Sequence, residues 1–340
     1  MAYISFQPHD FFNTVLYTGN GGNQTINTVG FESDWSWFKS RDAGNSHAVV
    51  TREVGFDKVL YPDTNSAQQS ISAQTFNSSG YALVQDSGAN SINSNGSTKV
   101  AWNWKANGAG STNSDGSVSA TVSVNQTTGI SIQKWVSVSG NMTFGHGLGV
   151  VPKLVIMKSL SNSENWRWGH NDLGWNGYLN LDTTQSKQAN TTIWQNQSPS
   201  STVVYTAGNQ MGLVGDTIIS WCFAEKQGFS KFGKYKGNGN ADGPFIYTGF
   251  KPGVVIVKNI ETTNQWQMFD SKRGRNAAMG FVYPDSAEAE TATVPMDIYA
   301  NGFKFRDTSQ ARNGNGYDFI FMAFAEEPLV ASNGDVAPAR

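Results

Sequence analysis

The stretch Gly253-Val254-Val255-Ile256-Val257-Lys258 decides how this chain is organised. Two related stretches, Lys153-Leu154-Val155-Ile156-Met157-Lys158 and Asp34-Trp35-Ser36-Trp37-Phe38-Lys39, occur earlier in the sequence. Each is a short run of aliphatic, β-branched or aromatic residues that ends on a lysine and follows a turn, a pattern typical of a β-strand. The recurrence predicts that one strand, and the domain around it, is present three times.

A second landmark tests this repeat by its spacing. An alternating aromatic strand comes late in each copy, and the interval from the lysine to its aromatic residue is 65, 65 and 66 positions: Lys39 to Trp104, Lys158 to Phe223 and Lys258 to Phe324. Each copy offers about six to eight short strands with polar turns. We therefore predict an all-β protein with three tandem antiparallel β-sandwich, jelly-roll-like repeats at residues 12–107, 130–227 and 228–327.

Three further segments connect or flank the copies. Residues 1–11 carry aromatic side chains around a proline and are predicted to be an N-terminal arm that docks on a neighbouring subunit through Phe6, Pro8, Phe11 and the adjoining Phe12. Residues 108–129 are rich in Gly, Ser, Thr and Asn and predict a linker. The alternation of Val118, Val122 and Val124 leaves pairing as strands open. Residues 328–340 are predicted to be a loose tail.

The bulk composition excludes some classes of partner. The chain has 24 basic and 26 acidic residues, a net charge of −2, which gives no basic surface for nucleic acid. The single cysteine, Cys222, cannot form an intrachain disulfide. We expect neither a signal peptide nor membrane insertion, because no basic start precedes an apolar run and no apolar stretch approaches about 18 residues.

Metal and acid–base motifs are weak. The four histidines do not stand at zinc-ligand spacing, and we expect no metal and no cofactor. Glu225 and Glu326 recur at equivalent strand ends and could be the acids of a glycosidase. The first copy has Lys105 or Ala106 there, and ion pairing with the exit loop is the commoner role of such a carboxylate.

Tryptophans offer the best candidate binding site. Trp175, Trp194 and Trp266 stand beside polar turns, and flat rings next to amides such as Asn176 and Asn196 could contact glycans. The competing interpretation is that these rings pack in the core. The pairs Trp35/Trp37, Trp102/Trp104 and Trp166/Trp168 point to one face of their strands, and core packing is favoured for them.

Several phrases resemble virion structural proteins of tailed phages that infect marine bacteria and cyanobacteria. They are Phe-Asn-Thr-x-Leu-Tyr-Thr-Gly-Asn-Gly at 12–21, Gly-Phe-x-x-Asp-x-x-x-x-Lys-x-Arg at 30–41, Gly-His-Gly-Leu-Gly-Val-x-Pro-Lys at 145–153, Phe-Ala-Glu-x-x-Gly-Phe-Ser-Lys-Phe at 223–232 and Asp-Gly-Pro-Phe-x-Tyr-Thr-Gly-Phe-x-Pro at 242–252. The first copy departs in having Ser33 where the pattern usually has Pro. The resemblance implies a structural role on the particle exterior, and it carries no catalytic residues.

The resulting expectation is a non-enzymatic virion surface protein of the tail-fibre or adhesin type. It would be made in the host cytoplasm, assemble as a homotrimer with other virion proteins, and contact host surface glycans. A capsid decoration protein is the alternative within this class. A glycan depolymerase and a free cellular lectin are the alternatives outside it.

Overall fold

The computed structural model describes residues 4–84, 90–274, 280–293 and 295–329. The chain there is nearly all β, and its named strands pair antiparallel in several sheets. The predicted fold class, an all-β protein of the β-sandwich type, is confirmed. We call residues 12–107, 130–227 and 228–327 segments 1, 2 and 3.

Segment 1 contains a four-stranded sheet in the order β1-β9-β3-β4, a three-stranded sheet β2-β8-β7, and the pair β5-β6. Its elements are β1 (Phe12–Thr18), β2 (Gln24–Ile26), β3 (Trp35–Ser40), β4 (Ala48–Thr51), β5 (Lys58–Val59), β6 (Gln69–Ser70), β7 (Thr75–Asn77), β8 (Gly80–Leu83), α1 (Asn90–Asn93) and β9 (Thr98–Trp104).

Segment 2 and the residues before it form an eight-stranded sheet, β10-β11-β12-β19-β14-β15-β16-β17, and a two-stranded sheet, β13-β18. The elements are β10 (Ser111–Asn113), β11 (Ala120–Asn125), β12 (Ile130–Val136), β13 (Asn141–Gly145), β14 (Leu154–Ser159), β15 (Arg167–His170), a 3₁₀ helix (Asn171–Leu173), β16 (Gly177–Asn180), β17 (Gln188–Ala189), β18 (Val203–Ala207) and β19 (Thr217–Phe223).

Segment 3 has a four-stranded sheet, β20-β26-β22-β23, and a three-stranded sheet, β21-β25-β24. The strands are β20 (Ser230–Lys236), β21 (Phe245–Tyr247), β22 (Phe250–Asn259), β23 (Gln267–Asp270), β24 (Met296–Tyr299), β25 (Gly302–Phe305) and β26 (Asp318–Pro328).

One strand order runs through all three segments. In each, the first strand pairs with the last, the last with the lysine-ending strand, and that strand with its successor: β1-β9-β3-β4, β12-β19-β14-β15 and β20-β26-β22-β23. The register also agrees, since the landmark aromatics lie opposite equivalent residues: Trp104 opposite Trp35, Phe223 opposite Leu154 and Phe324 opposite Val254. The segments therefore share one sheet plan, whereas their division into three separate domains stays a prediction.

The two faces of these sheets bury their side chains in different places. Side chains alternate along a strand, and one face of the largest sheet in each segment contributes to a single central core shared by all three segments. The opposite faces pack under the small sheets in three separate cores. In the central core Trp221 lies 5.6 Å from Trp35 and Phe324 lies 5.7 Å from Trp104, measured between ring centroids. One shared core consequently holds the three sheets together, and they do not pack as separate units.

Residues 108–129 are not an open connection. The strands β10 and β11 lie within them, and β11 pairs with β12 from Ala120 opposite Trp135 to Asn125 opposite Ile130. Val118 and Val122 are buried, so the apolar alternation outweighs the polar composition. The interpretation as a flexible linker is therefore corrected.

The N-terminal arm packs on its own chain. Pro8 is buried in a 3₁₀ helix (Pro8–Asp10), and Phe6 lies 5.3 Å from Phe229 of segment 3. Phe11 packs against the central core, and Phe12 is buried there at 5.6 Å from Phe324. Pro8 and Phe12 are buried within the chain, so the docking prediction is corrected for these two residues. Phe6 and Phe11 are half-buried, and their docking on a neighbouring subunit stays a prediction. Of the predicted tail, Pro328 ends β26, and residues 330–340 lie outside the described residues.

Candidate functional site

The three recurring lysines are the best-defined polar set in the molecule. Lys39, Lys158 and Lys258 are fully buried, and each continues the row of inward-facing side chains at the end of β3, β14 or β22. An ammonium group taken out of water needs hydrogen-bond acceptors in compensation. In each case those acceptors are backbone carbonyl oxygens, some of them from a different segment.

Lys158 and Lys258 each join their own segment to the one before it. Lys158 Nζ donates to the Glu164 carbonyl at 2.8 Å and to the Asn65 carbonyl of segment 1 at 3.1 Å. Lys258 Nζ donates to the Asn264 carbonyl and, at 2.8 Å, to the Thr184 carbonyl of segment 2.

Lys39 makes the same contact in the opposite chain direction and so closes a ring. Its Nζ donates to the Asn45 carbonyl at 2.7 Å and to the Ala287 carbonyl of segment 3 at 3.0 Å. Segment 2 thus binds segment 1, segment 3 binds segment 2, and segment 1 binds segment 3.

A ring nitrogen eight residues after each lysine repeats this pattern. Trp166 Nε1 donates to the Tyr61 carbonyl at 3.0 Å, and Trp266 Nε1 donates to the Asn180 carbonyl at 2.9 Å. In segment 1 the place is taken by a histidine, and His47 Nε2 lies 2.9 Å from the Tyr283 carbonyl.

Backbone hydrogen bonds complete the junctions. The donors and acceptors are Gln68 N–H to the Leu160 carbonyl at 3.2 Å, Lys187 N–H to the Ile260 carbonyl at 3.0 Å and Glu290 N–H to the Arg41 carbonyl at 2.8 Å. At each of the three junctions, we call the lysine, ring-nitrogen and backbone hydrogen bonds together a junction clamp.

Burial shifts the ionisable groups of the clamps towards their neutral forms. It lowers the pKa of Lys39 and Lys158 to about 8, and it lowers that of Lys258 in the same direction. Burial likewise raises the pKa of Asp182 to about 6 and raises the pKa of Asp285, each of which lies in a loop that a clamp holds.

Perturbed pKa values often mark reaction centres, but these groups already have partners inside the protein. Asp63 Oδ1 accepts the His47 N–H at 3.0 Å, and Asp182 Oδ1 accepts the Trp166 N–H at 3.1 Å. In the same way Asp285 Oδ1 accepts the Trp266 N–H at 3.1 Å. The clamps are therefore best explained as structural bonds between segments.

The predicted glycan-contact tryptophans are closed to solvent. Trp194 and Trp266 are 0% and 1% exposed, and Trp175 is buried edge-on against Trp194 at 5.3 Å. Asn176 and Asn196 are exposed, but no predicted ring lies open beside them. The stacking prediction is wrong for the three rings, because each packs in a core. For Trp266 the signal was in the sequence: it follows Lys258 by eight residues, as Trp166 follows Lys158.

The recurring carboxylates also have protein partners. Glu225 Oε2 accepts the Phe232 N–H at 3.3 Å. Glu326 pairs with Lys272 at 2.6 Å and Lys251 at 3.1 Å. Burial pushes the Glu326 pKa up, but these two lysines outweigh it and leave the pKa below its usual value. A glycosidase general acid needs a raised pKa, so Glu326 does not suit that role.

In residues 4–84, 90–274, 280–293 and 295–329, no group of three or more His, Cys, Asp or Glu side chains is placed to bind a metal ion. No helix in the described part of the chain has the length and apolar character to cross a membrane.

Comparison with known proteins gives one match. A family model described as a domain of unknown function, DUF7483, matches residues 7–328. No curated protein and no solved structure matches the chain. The matched range includes all three segments and the last five residues of the N-terminal arm.

Proposed function

The chain belongs to the DUF7483 family, and from that premise we propose that it is a non-enzymatic structural protein of a phage virion exterior, of the tail-fibre or adhesin type. The observation that carries the proposal is the use of the recurring ionisable residues. Lys39, Lys158 and Lys258 donate to carbonyls across the three junctions. The recurring lysines therefore serve to hold the three segments together as one body. Such a structure suits a protein that must persist outside the cell.

The resemblance to phage virion proteins supports the same role. Four of its phrases coincide with strands of the shared sheet plan, and those at 12–21 and 30–41 contain all of β1 and β3. The phrase at 223–232 runs from the end of β19 into β20, and the phrase at 242–252 includes β21 and the start of β22. A rigid adhesin would face the host with its outer loops and small sheets and contact host glycans there.

A capsid decoration protein is the second candidate, and one observation favours it. The three segments close a ring through equivalent contacts within one chain. Such internal threefold character suits a threefold position on a shell.

A homotrimer remains part of the adhesin proposal. Light scattering of the purified protein would give three times the chain mass of 36.9 kDa for a trimer.

Labelling of intact particles tests the proposal. Antibodies against the purified chain, detected by gold in electron micrographs, should decorate the particle exterior. Label on the tail supports the adhesin, and label on the head supports decoration. Unlabelled particles that also lack the protein by mass spectrometry would refute both. New reducing ends from host polysaccharide incubated with the protein would instead establish a depolymerase.

A further inference from the structure

The small sheet of segment 3 exposes two large aromatic side chains on its outer face. Along β21 the burial alternates: Phe245 is 46% exposed, Ile246 is 5% exposed and Tyr247 is 55% exposed. Apolar ring surface left in water costs free energy, and a cluster of it on a folded protein marks a binding surface. Ile246 faces the core of segment 3, so the outward direction of its neighbours is fixed by the strand.

Neighbouring strands extend this aromatic surface. In the sheet register Gly302 of β25 lies opposite Tyr247 on one side and Tyr299 on the other. Gly302 has no side chain, and the Phe245 ring lies across it, with its tip 2.8 Å from where a Cβ atom would stand. The Phe245 and Tyr299 rings meet edge to face at 5.7 Å. Tyr247 is exposed on the same face of β21 as Phe245. We call these three residues of one sheet face the aromatic platform (Phe245, Tyr247, Tyr299).

A network of charged groups borders the platform. Arg306 donates to Asp297 at 2.6 Å, to the Tyr299 hydroxyl at 2.6 Å and to Asp242 at 3.2 Å. Lys304 pairs with Asp242 at 2.6 Å, and the Asp242 side chain is 77% exposed. Two cations and two carboxylates give this rim no net charge. Their mutual bonds hold the donors and acceptors in place before any ligand arrives.

Segment 1 provides an internal control, because its small sheet has the same construction. Gly80 corresponds to Gly302: a Cβ atom on Gly80 would stand 2.0 Å from the Ile26 carbonyl oxygen of β2, and one on Gly302 would stand 2.2 Å from the Ile246 carbonyl oxygen of β21. The register then identifies the segment 1 residues that stand where segment 3 has Phe245, Tyr299 and Lys304, and all are small or uncharged: Thr25, Asn77 and Ala82. The sheet therefore forms without a platform, and folding does not explain the aromatic residues.

We propose that the aromatic platform binds a neutral glycan, with the C–H face of a pyranose ring stacked on Tyr247 and Phe245. The ring hydroxyls would exchange hydrogen bonds with Asp242 and Arg306, whose charged groups make stronger hydrogen bonds than neutral ones. Because the rim has no net charge, it offers an acidic sugar no attraction beyond that for a neutral one. This site rests on the proposed role in host attachment and names its ligand class.

Binding of the full-length protein to two sets of oligosaccharides tests the site. One set holds neutral hexopyranose oligomers (gluco-, manno- and galacto-oligosaccharides), and the other holds uronic-acid oligomers. At least one neutral oligomer should bind, and Tyr247→Ala should weaken that binding at least tenfold. Tyr247→Phe, which keeps the ring face, should stay within about threefold of the wild type. Tyr205→Ala is the matched control, since Tyr205 is a half-buried tyrosine in the small sheet of segment 2.

The outcomes separate the site from the proposed function. The site is refuted if no neutral oligomer binds, if Tyr247→Ala and Tyr205→Ala weaken binding equally, or if uronic-acid oligomers bind more tightly. Unchanged thermal unfolding of Tyr247→Ala shows that any loss is not misfolding. Particle labelling without glycan binding would refute the platform alone. Glycan binding by a protein that is missing from particles would refute the virion role alone.

Discussion

Replacing Lys158 with methionine removes the lysine hydrogen bonds of one junction clamp and keeps most of the aliphatic stem. Lys158 is fully buried, and its Nζ donates at 2.8 Å and 3.1 Å to carbonyls of Glu164 and Asn65. A hydrogen bond from a charged donor contributes about 1.5–3 kcal/mol, and an orphaned buried carbonyl costs about 1–3 kcal/mol. Relief of the buried charge offsets part of this loss. We expect the free energy of unfolding at neutral pH to fall by about 2–4 kcal/mol.

The shift in melting temperature reports the size of the cooperative unit. Unfolding entropy is about 2.1 cal/mol/K per residue, so if all 340 residues unfold together a loss of 3 kcal/mol lowers Tm by about 4 °C. If segment 2 unfolded by itself, the same loss spread over about 100 residues would lower Tm by about 14 °C. The shared central core favours the smaller shift.

Scanning calorimetry with denaturant titration measures both quantities. Lys234→Met is the matched control, because Lys234 is exposed on β20, and it should change the free energy of unfolding by no more than about 0.5 kcal/mol. A Lys158→Met variant as stable as this control would refute the clamp. Two well-separated transitions in the wild-type chain would refute the single cooperative unit.

Three further outcomes follow from the same structure. Trp221→Ala, which removes a ring stacked on Trp166 and tilted against Trp35, should lower the free energy of unfolding by about 3–5 kcal/mol in denaturant titrations. The pKa of Lys158 is about 8 when folded and 10.5 when unfolded, so the unfolded chain binds more protons between those values. The stability of the wild type relative to Lys158→Met should therefore rise between about pH 8 and about pH 10, by at most about 1.4 kcal/mol per pH unit. Cys222 is fully buried, and burial raises its pKa, so a thiol reagent should label it only at the rate of global unfolding; rapid labelling of the folded chain would contradict this burial.

The sequence predicted the strands better than it predicted what the strands contact. The runs ending at Lys39, Lys158 and Lys258 are strands with equivalent register, because apolar period and turn chemistry are local properties. The same local pattern cannot say whether a buried face meets its own small sheet or the other segments. Trp266 was therefore assigned to a ligand, although it donates across a junction to Asn180.

The residues of the proposed platform carry a weaker sequence signal than the residues of the buried cores. The Phe245-Ile246-Tyr247 alternation is that of an ordinary half-buried strand, and only the register shows Tyr299 beside it. For the N-terminal phenylalanines the sequence signal was strong, but it did not show which surface they contact. Aromatic residues around a proline predict an apolar binding surface, and in the folded chain Phe6 packs against Phe229.

The ring closure has a consequence for biosynthesis. Lys39 donates to Ala287, 248 positions later in the chain, and translation at about 5–20 residues per second leaves this acceptor unmade for about 12–50 s. Throughout that interval segment 1 is attached to the ribosome, and the tryptophan-rich face of its four-stranded sheet lacks its contacts with segment 3. The nascent chain should thus be a chaperone client until the third segment emerges.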